Sequence, residues 1–380
     1  MEKPVRQNSI PFHYPFSVVS IYQMKTLDEF KLTLQAPHSL GLLGNFPRFR
    51  YMGSKFRLAD WICGAFDSLS FESATDAFSG SGVVSYLLKG LGKQVRSNDS
   101  LAFPAVLTTA TIANNATQLG ADELQFLLAS KAVGSNETFI QRTFQGIFYN
   151  PTDLAFLDDV WAGIRMLDSP FKRSLAIAAL LRSAIKRQPR GLFTVSDPER
   201  YLDGRRDLQL SLRQHFVEQV EAYNKAVFSN GKRNSATCGD VFDIEAESDL
   251  VYMDPPYVPR SDDNCYIKRY HFLEGLACYW EGKTIMQSSK VKKLVKPFTP
   301  FSYRNTAIEA FDRLFRKFAD STQVLSYSSN AFPDLATLRA LMKRYNKSVE
   351  VLEKTHRYHF GTHEAAKRNL VQEYLIVGTK

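Results

Sequence analysis

The run DLVYMDPPYVPR, residues 249–260, constrains the chain more than any other stretch. Residues 249–253 read as a short buried strand entering a sheet. Pro255 and Pro256 then forbid its continuation, because each proline fixes its own φ and removes a backbone donor that a sheet interior requires. The strand must therefore stop at Asp254, and stop rigidly. In an open α/β sheet the carboxyl edge of the strands is where ligands bind, since the loops there diverge into a crevice. A carboxylate and a tyrosine, Tyr257, fixed at that edge have little freedom left to lose on meeting a ligand. A plain proline-rich turn is the alternative, and the four residues alone do not choose between the two.

The rest of the chain supplies the sheet. From 46 to 118 it alternates strand and helix: SATDAF ends at the glycine pair of SGSG, VVSYLLKGL reads as a helix, KQVRSND as a strand and LAFPAVLTTATIANN as a helix. Strand signals return at TCGDVFDI, continue through residues 249–253, and recur in TQVLSYSS, SVEVLEKT and VQEYLIVG. Between them, residues 119–235 carry long helical patterns such as KRSLAIAALLRSAIK and LSLRQHFVEQVEAYNKAVF. The simplest organisation is an N-terminal arm of unknown role over 1–45, one α/β domain over 46–118 and 236–380, and a mostly helical insertion over 119–235.

With 44% hydrophobic and 23% charged residues the composition is that of an ordinary globular protein. The net charge of +9, from 48 Lys and Arg against 39 Asp and Glu, favours a polyanionic partner. Cys63, Cys238, Cys265 and Cys278 show neither CxxC spacing nor disulfide density, which fits a reducing compartment. Neither a secretory leader nor an apolar run of transmembrane length is evident, so a cytoplasmic protein without membrane contact is expected.

Gly80 and Gly82 stand between a predicted strand and a predicted helix, where the lack of a Cβ lets a ligand approach the backbone and the helix amides. A tight strand-to-helix turn explains the same glycines. Asp99 lies 19 residues after Gly80 at the end of the second strand, positioned to accept ribose hydroxyls or to cap the next helix.

In order along the chain, YMGSK (Tyr51, Gly53, Lys55), DAFSGSG (Asp76 to Gly82), ND (Asn98, Asp99), GDVF (Gly239 to Phe242), DPPY (Asp254 to Tyr257) and LSYSSN (Leu325 to Asn330) resemble the motifs of the Dam-like alpha group of N6-adenine DNA methyltransferases. The resemblance covers 46–118 and 236–380. It implies a Rossmann-like sheet with S-adenosylmethionine as cofactor, and the insertion as target-recognition domain. It also implies that the substrate is an adenine flipped out of double-stranded DNA. Carried over position by position, the loop with Asp76, Phe78, Ser79, Gly80 and Gly82 wraps the methionine part, which Tyr51 and Lys55 flank. Asp99 meets the ribose; Asp240, Val241 and Phe242 meet the cofactor adenine. Ser79 and Ser81 depart from many relatives, at small cost while the glycines remain.

The chemistry then suits DPPY. Asp254 and the Pro255 carbonyl each accept one N–H of the exocyclic amine, Pro256 keeps the loop rigid, and Tyr257 offers a ring face to the base. A cytosine-C5 enzyme needs a Pro-Cys pair, which the chain lacks. Methylation of cytosine N4 or RNA adenine uses the same chemistry and stays open, as does an inactive DNA-binding homologue; Asp254 argues against a glutamine amide. For DNA contact the basic residues Arg182, Lys186, Arg187 and Arg190, the pair Arg205 and Arg206, and Arg260, Lys268, Arg269 and Tyr270 after the catalytic loop are the candidates, with a solvated helix face as the alternative. KVKKLVK reads as a charged surface. His356, His359 and His363 match no metal spacing, and no metal is expected. A monomer is expected, with a separately acting restriction endonuclease left open as a partner.

Overall fold

The strand Leu250–Met253 is buried along its whole length, as a short apolar run inside a parallel sheet must be. The computed structural model describes residues 41–189, 191–194, 204–259, 265–357 and 370–380. Its strands are β1 (Ser73–Asp76), β2 (Gln94–Asp99), β3 (Ser235–Cys238), β4 (Leu250–Met253), β5 (Val258–Pro259), β6 (Thr322–Ser328), β7 (Ala331–Phe332), β8 (Ser348–Arg357) and β9 (Leu370–Thr379). Seven of them form a sheet of order β3-β2-β1-β4-β6-β9-β8. The first five in that order run parallel, whereas β9 enters antiparallel between β6 and β8.

This topology fixes where a ligand can sit. From β1 the chain winds outward to β2 and β3, then returns to lay β4 on the other side of β1. The direction of winding reverses between β1 and β4, with Asp76 in register with Tyr252. Loops leaving the two strands diverge there and open a crevice at the carboxyl edge. The Rossmann-like α/β sheet expected from the sequence is present.

The helices are α1 (Ala59–Asp67), α2 (Val83–Gly90), α3 (Ala102–Thr108), α4 (Ala121–Ala129), α5 (Phe139–Thr143), α6 (Pro151–Met166), α7 (Pro170–Lys186), α8 (Arg206–Gln209), α9 (Leu212–Ala226), α10 (Tyr266–Ala277), α11 (Arg304–Lys317) and α12 (Leu335–Met342). Local chemistry starts the long ones. Asn150 and Ser169 cap α6 and α7 by accepting the amides of Asp153 and Lys172, and each is followed by a proline where no N–H is required. Ser211 and Gln214 form a reciprocal capping box at the start of α9.

α7 is apolar nearly all round. Leu175, Ala179, Leu180 and Ile185 are completely inaccessible, as the central helix of a bundle must be. It packs on α9, and also on α3 and α10. Segment 119–235 therefore shares one continuous core with stretches on either side of it, including Phe103 and Leu107 of α3 and Phe272 and Leu276 of α10. A second core, with Tyr252 and Val324, lies under α1 and α2, and a third, with Met253 and Leu325, lies under α11 and α12. Residues 1–40 of the arm, Arg190, Arg260, His359 and His363 lie outside the described residues. His356 is in β8, opposite Val371 of the antiparallel partner.

Candidate active site

The glycine loop follows directly from β1. Gly80 and Gly82 adopt φ of +50° and +80°, values that side-chain-bearing residues rarely take. A Cβ at Gly80 would also lie 2.9 Å from Cε1 of Tyr51. The loop is tied to β2: Ser79 N–H donates to the Asn98 carbonyl (2.8 Å), and Gly80 N–H to Oδ2 of Asp99 (2.9 Å). Oδ1 of Asp99 takes the Leu101 amide at 3.0 Å. Asp99 thus braces two loops, and each of its oxygens keeps a second lone pair. Burial lifts its carboxyl to about 6, against the pull of the Leu101 and Gly80 amides.

Asp76, at the end of β1, is 1% exposed. Its Oδ2 accepts the Ser85 hydroxyl at 2.6 Å. Its Oδ1 and the hydroxyl of Ser79 are buried with no hydrogen-bond partner among the described residues. Burial raises Asp76 to about 7; the Ser85 hydroxyl opposes this, and Asp254 and Asp99 add to it.

Asp254 stands at the end of β4, across the crevice. Its Oδ2 receives Lys55 Nζ at 2.5 Å, and Lys55, itself 5% exposed, also donates to Gly53 O at 3.2 Å. Burial raises the Asp254 carboxyl, while Lys55 works the other way. Burial disfavours the Lys55 ammonium too, but Asp254, Tyr257 and Glu373 more than restore it, so Lys55 stays protonated. Tyr257 packs edge-on against Tyr327, 5.4 Å between centroids. Beyond it, β5 pairs antiparallel with β7, pinning the Asp254–Tyr257 loop to the end of β6.

Tyr51, Lys55, Asp76, Phe78, Ser79, Gly80, Asp99, Asp254 and Pro256 line one cavity. Gly82, Pro255, Tyr257, Asp240, Val241 and Phe242 lie outside its lining. β3 ends at Cys238, so the GDVF motif forms a loop; Asp240 is exposed there and accepts the Phe242 amide at 2.9 Å. Phe242 is linked to the cavity through Phe301, which stacks on it at 5.8 Å and meets Phe78 edge-on at 5.5 Å.

Two features went unread in the sequence. The Lys55–Asp254 pair joins motifs 199 residues apart, and nothing local signals it. The other is a stack of three tyrosines: Tyr51 lies parallel to Tyr270 (5.5 Å, 4°) and nearly so to Tyr266 (5.3 Å, 25°). The Met52 amide donates to the Tyr270 oxygen at 2.8 Å, and the Tyr266 hydroxyl donates to Met52 O at 3.2 Å. α10 thereby clamps the Tyr51 segment against the glycine loop. The aromatic–cation alternation of YIKRYHF was visible; that its tyrosines turn inward was not.

The basic candidates divide. Arg182 bonds Arg48 O (3.0 Å) and Gln219, Lys186 pairs with Asp207 at 2.8 Å, and Arg187 with Asp153 at 3.3 Å. These three have internal partners. Arg205, Arg206 and Lys268 are exposed; Arg205 donates to Pro189 O at 2.9 Å and Arg206 pairs with Glu218. Arg269 is half-buried, and Tyr270 is 1% exposed. Among the described residues no three His, Cys, Asp or Glu side chains gather as metal ligands, and no helix is long and apolar enough to cross a membrane.

A mixed sheet whose parallel strands carry a glycine loop on β1, an acid closing β2 and a proline-locked carboxylate closing β4 opens a ligand crevice at its carboxyl edge, as in nucleotide-binding α/β proteins. Comparison with known proteins narrows this. Residues 51–330 match the family described as D12 class N6 adenine-specific DNA methyltransferase. The chain is 30% identical over 329 residues to the Type II methyltransferase M2.HphI of Haemophilus parahaemolyticus, covering 82% of this chain and 92% of that one. It is 25% identical to the Type II methyltransferase M.FokI of Planomicrobium okeanokoites, over 78% of this chain and 47% of the relative. To the modification methylase LlaI of Lactococcus lactis subsp. lactis it is 22% identical, over 81% and 51%. It thus spans about half the length of those last two. The chain belongs to the D12 class of N6 adenine-specific DNA methyltransferases.

Proposed function

We propose that the chain transfers the methyl group of S-adenosylmethionine to N6 of an adenine extruded from duplex DNA, through Asp254, Pro255 and Tyr257. The meeting of Asp254 and the glycine loop of β1 in one cavity carries this reading. The cavity suits the cofactor. The unpartnered, buried Oδ1 of Asp76 and hydroxyl of Ser79 fit the cationic methionine end, the bare Gly80 backbone admits close approach, and the spare lone pairs of Asp99 fit the ribose hydroxyls. Asp240, Val241 and Phe242 are assigned to the adenine by resemblance. When bound, S-adenosylmethionine supplies an electrophilic methyl group.

The chain's own residues prepare the amine. Lys55 holds Oδ2 of Asp254, which keeps the carboxylate ionised and leaves Oδ1 to accept one N–H of the target. The Pro255 carbonyl accepts the other. With both N–H bonds engaged, the nitrogen lone pair is directed toward the methyl group; as the N–C bond forms, the methyl–sulfur bond breaks with its electron pair leaving on sulfur, and the excess proton on nitrogen passes to the Asp254 carboxylate. The Tyr257 ring, backed edge-on by Tyr327, stacks on the base.

The insertion 119–235 serves target recognition, with Arg205, Arg206, Lys268 and Arg269 toward the phosphates or base edges. The chain acts as a cytoplasmic monomer, and its relatives' type II names suggest a separately acting endonuclease of the same target. The test is transfer of labelled methyl from S-adenosylmethionine to unmodified duplex DNA, followed by nucleoside analysis and mapping. N6-methyladenine in one fixed sequence context is expected. Labelled N4-methylcytosine, or label only in RNA, would sink the reading.

A further inference from the structure

The segment joining α10 to α11 takes no part in the chemistry above, yet it is built as a projection. Ile285 bridges Leu294 in antiparallel sense, Val295 N–H donates to Thr284 O at 2.9 Å, and Met286 N–H to Lys293 O at 2.7 Å. Ser289 closes the turn, its carbonyl taking the Lys292 amide (3.0 Å) and its hydroxyl the Lys293 amide (3.0 Å). Val291 and Leu294 are buried in the helical core, which fixes the hairpin at its base. Lys290 on it is exposed and Lys292 and Lys293 are half-buried, and no carboxylate among the described residues comes within ion-pair distance of the three.

From the hairpin the chain runs along the rim of the catalytic cavity, which Lys296, Pro297, Thr299 and Ser302 help to line. Phe301 anchors this stretch beneath Phe78 and Phe242. Outward from that anchor, Phe298 is 69% exposed and Tyr303 38% exposed, their rings stacked at 5.4 Å and 10°. Lys296 Nζ lies over the Tyr303 ring at 4.9 Å, and the exposed Phe298 ring offers a flat surface on which a base can stack. Three lysines without carboxylate partners nearby ask for an anion. One ligand satisfies both, a nucleic-acid strand with its phosphates and an unstacked base.

We propose that hairpin 284–295 and the Phe298–Tyr303 pair grip DNA beside the cavity. Lys290, Lys292 and Lys293 contact phosphates, and Phe298 stacks on the base next to the extruded adenine. An acidic protein would match the lysines but leaves the ring pair, at the mouth of a cavity that must admit a base, without a purpose.

The inference rests on duplex DNA being the substrate, and the test separates the two. DNA affinity of the full chain is measured across a salt series for wild type, for the triple variant Lys290→Gln, Lys292→Gln, Lys293→Gln, and for Phe298→Ala. A 2-aminopurine is placed beside the target adenine, and S-adenosylmethionine binding serves as the check on folding. The triple variant should lower the slope of log affinity against log salt by about 2–3, since each phosphate contact contributes ~0.9. Phe298→Ala should weaken binding roughly 5- to 100-fold by loss of one base stack, and abolish the quenching of 2-aminopurine that wild type produces. Cofactor affinity should not move. A wild-type slope retained by the triple variant, or unchanged quenching in Phe298→Ala, overturns the proposal alone. Failure of the wild type itself to bind duplex DNA overturns its premise as well.

Discussion

Replacing Lys55 by methionine probes the centre of the site while keeping its volume. Lys55 and Asp254 side chains are 6% and 19% exposed and meet at 2.5 Å, so solvent screens the pair little. Removing one partner of a buried pair costs about 3–5 kcal/mol if the survivor must stay charged. Asp254 escapes that cost by taking up a proton. Burial already raises its carboxyl above the ordinary 3.8, and Lys55 is what opposes the rise. In Lys55→Met the opposition is gone and the carboxyl rises further, so a smaller fraction of Asp254 is ionised and able to accept the amine N–H. About 3–5 kcal/mol is roughly 10²- to 10⁴-fold, the ceiling on the fall in single-turnover methylation at pH 7; below it the rate falls in proportion to the fraction of Asp254 still ionised. Activity then recovers as pH increases and Asp254 ionises. Stability moves the opposite way. Between the unfolded value of 3.8 and the raised native one, the folded variant holds a proton that the unfolded chain has released, so its stability is full below 3.8 and declines as pH rises through the native value. The assay is single-turnover methyl transfer over a pH series at saturating cofactor, with urea melts at each pH. A rate profile parallel to wild type, lowered by one factor throughout, would refute the idea that Lys55 acts through the ionisation of Asp254.

Two further changes address the cofactor side. Because burial raises Asp76 to about 7, its carboxylate forms as pH rises through neutrality, and wild-type affinity for the cationic cofactor should tighten from pH 6 to 8. Asp76→Asn should bind about 10- to 100-fold more weakly, as loss of a charge-assisted bond implies, and without that pH dependence; calorimetric titration decides, and equal slopes for both proteins would count against Asp76 as the contact. Gly80→Ala puts a Cβ 2.9 Å from the Tyr51 ring at φ +50°. The backbone alone costs about 1–2 kcal/mol, read as a lower urea midpoint, and cofactor affinity should fall as Tyr51 is displaced; wild-type values for both would show that the loop has room to spare.

The parts of this site that the sequence reveals are those whose causes lie within a few residues. A proline pair ends a strand wherever it occurs, and two glycines between a strand and a helix mark a close backbone approach. Asp254 and Gly80 were therefore readable from their neighbours. The direction of β9 was not. VQEYLIVG ends in an apolar run, residues 374–377, as a buried strand does, but such a run reads the same for a strand of either direction, so its antiparallel entry between β6 and β8 follows from the chain's path.

Charge is legible in the same limited sense. The cluster Arg182, Lys186 and Arg187 announces three cations; their acceptors, Gln219, Asp207 and Asp153, are 37, 21 and 34 positions away, carried by α9, α8 and α6. Once α7 is the central helix of a bundle, cations at its C-terminal end either reach an internal acid or leave one buried without a partner, and here the internal partners are taken. By the same reasoning KVKKLVK is a basic run whose first lysines meet no acid among the described residues. Its apolar residues Val291 and Leu294 are buried, which leaves Lys290 exposed and Lys292 and Lys293 half-exposed. The position of a buried anchor decides whether a basic run is consumed by the fold or offered to a ligand, and that is a property of tertiary packing rather than of the run.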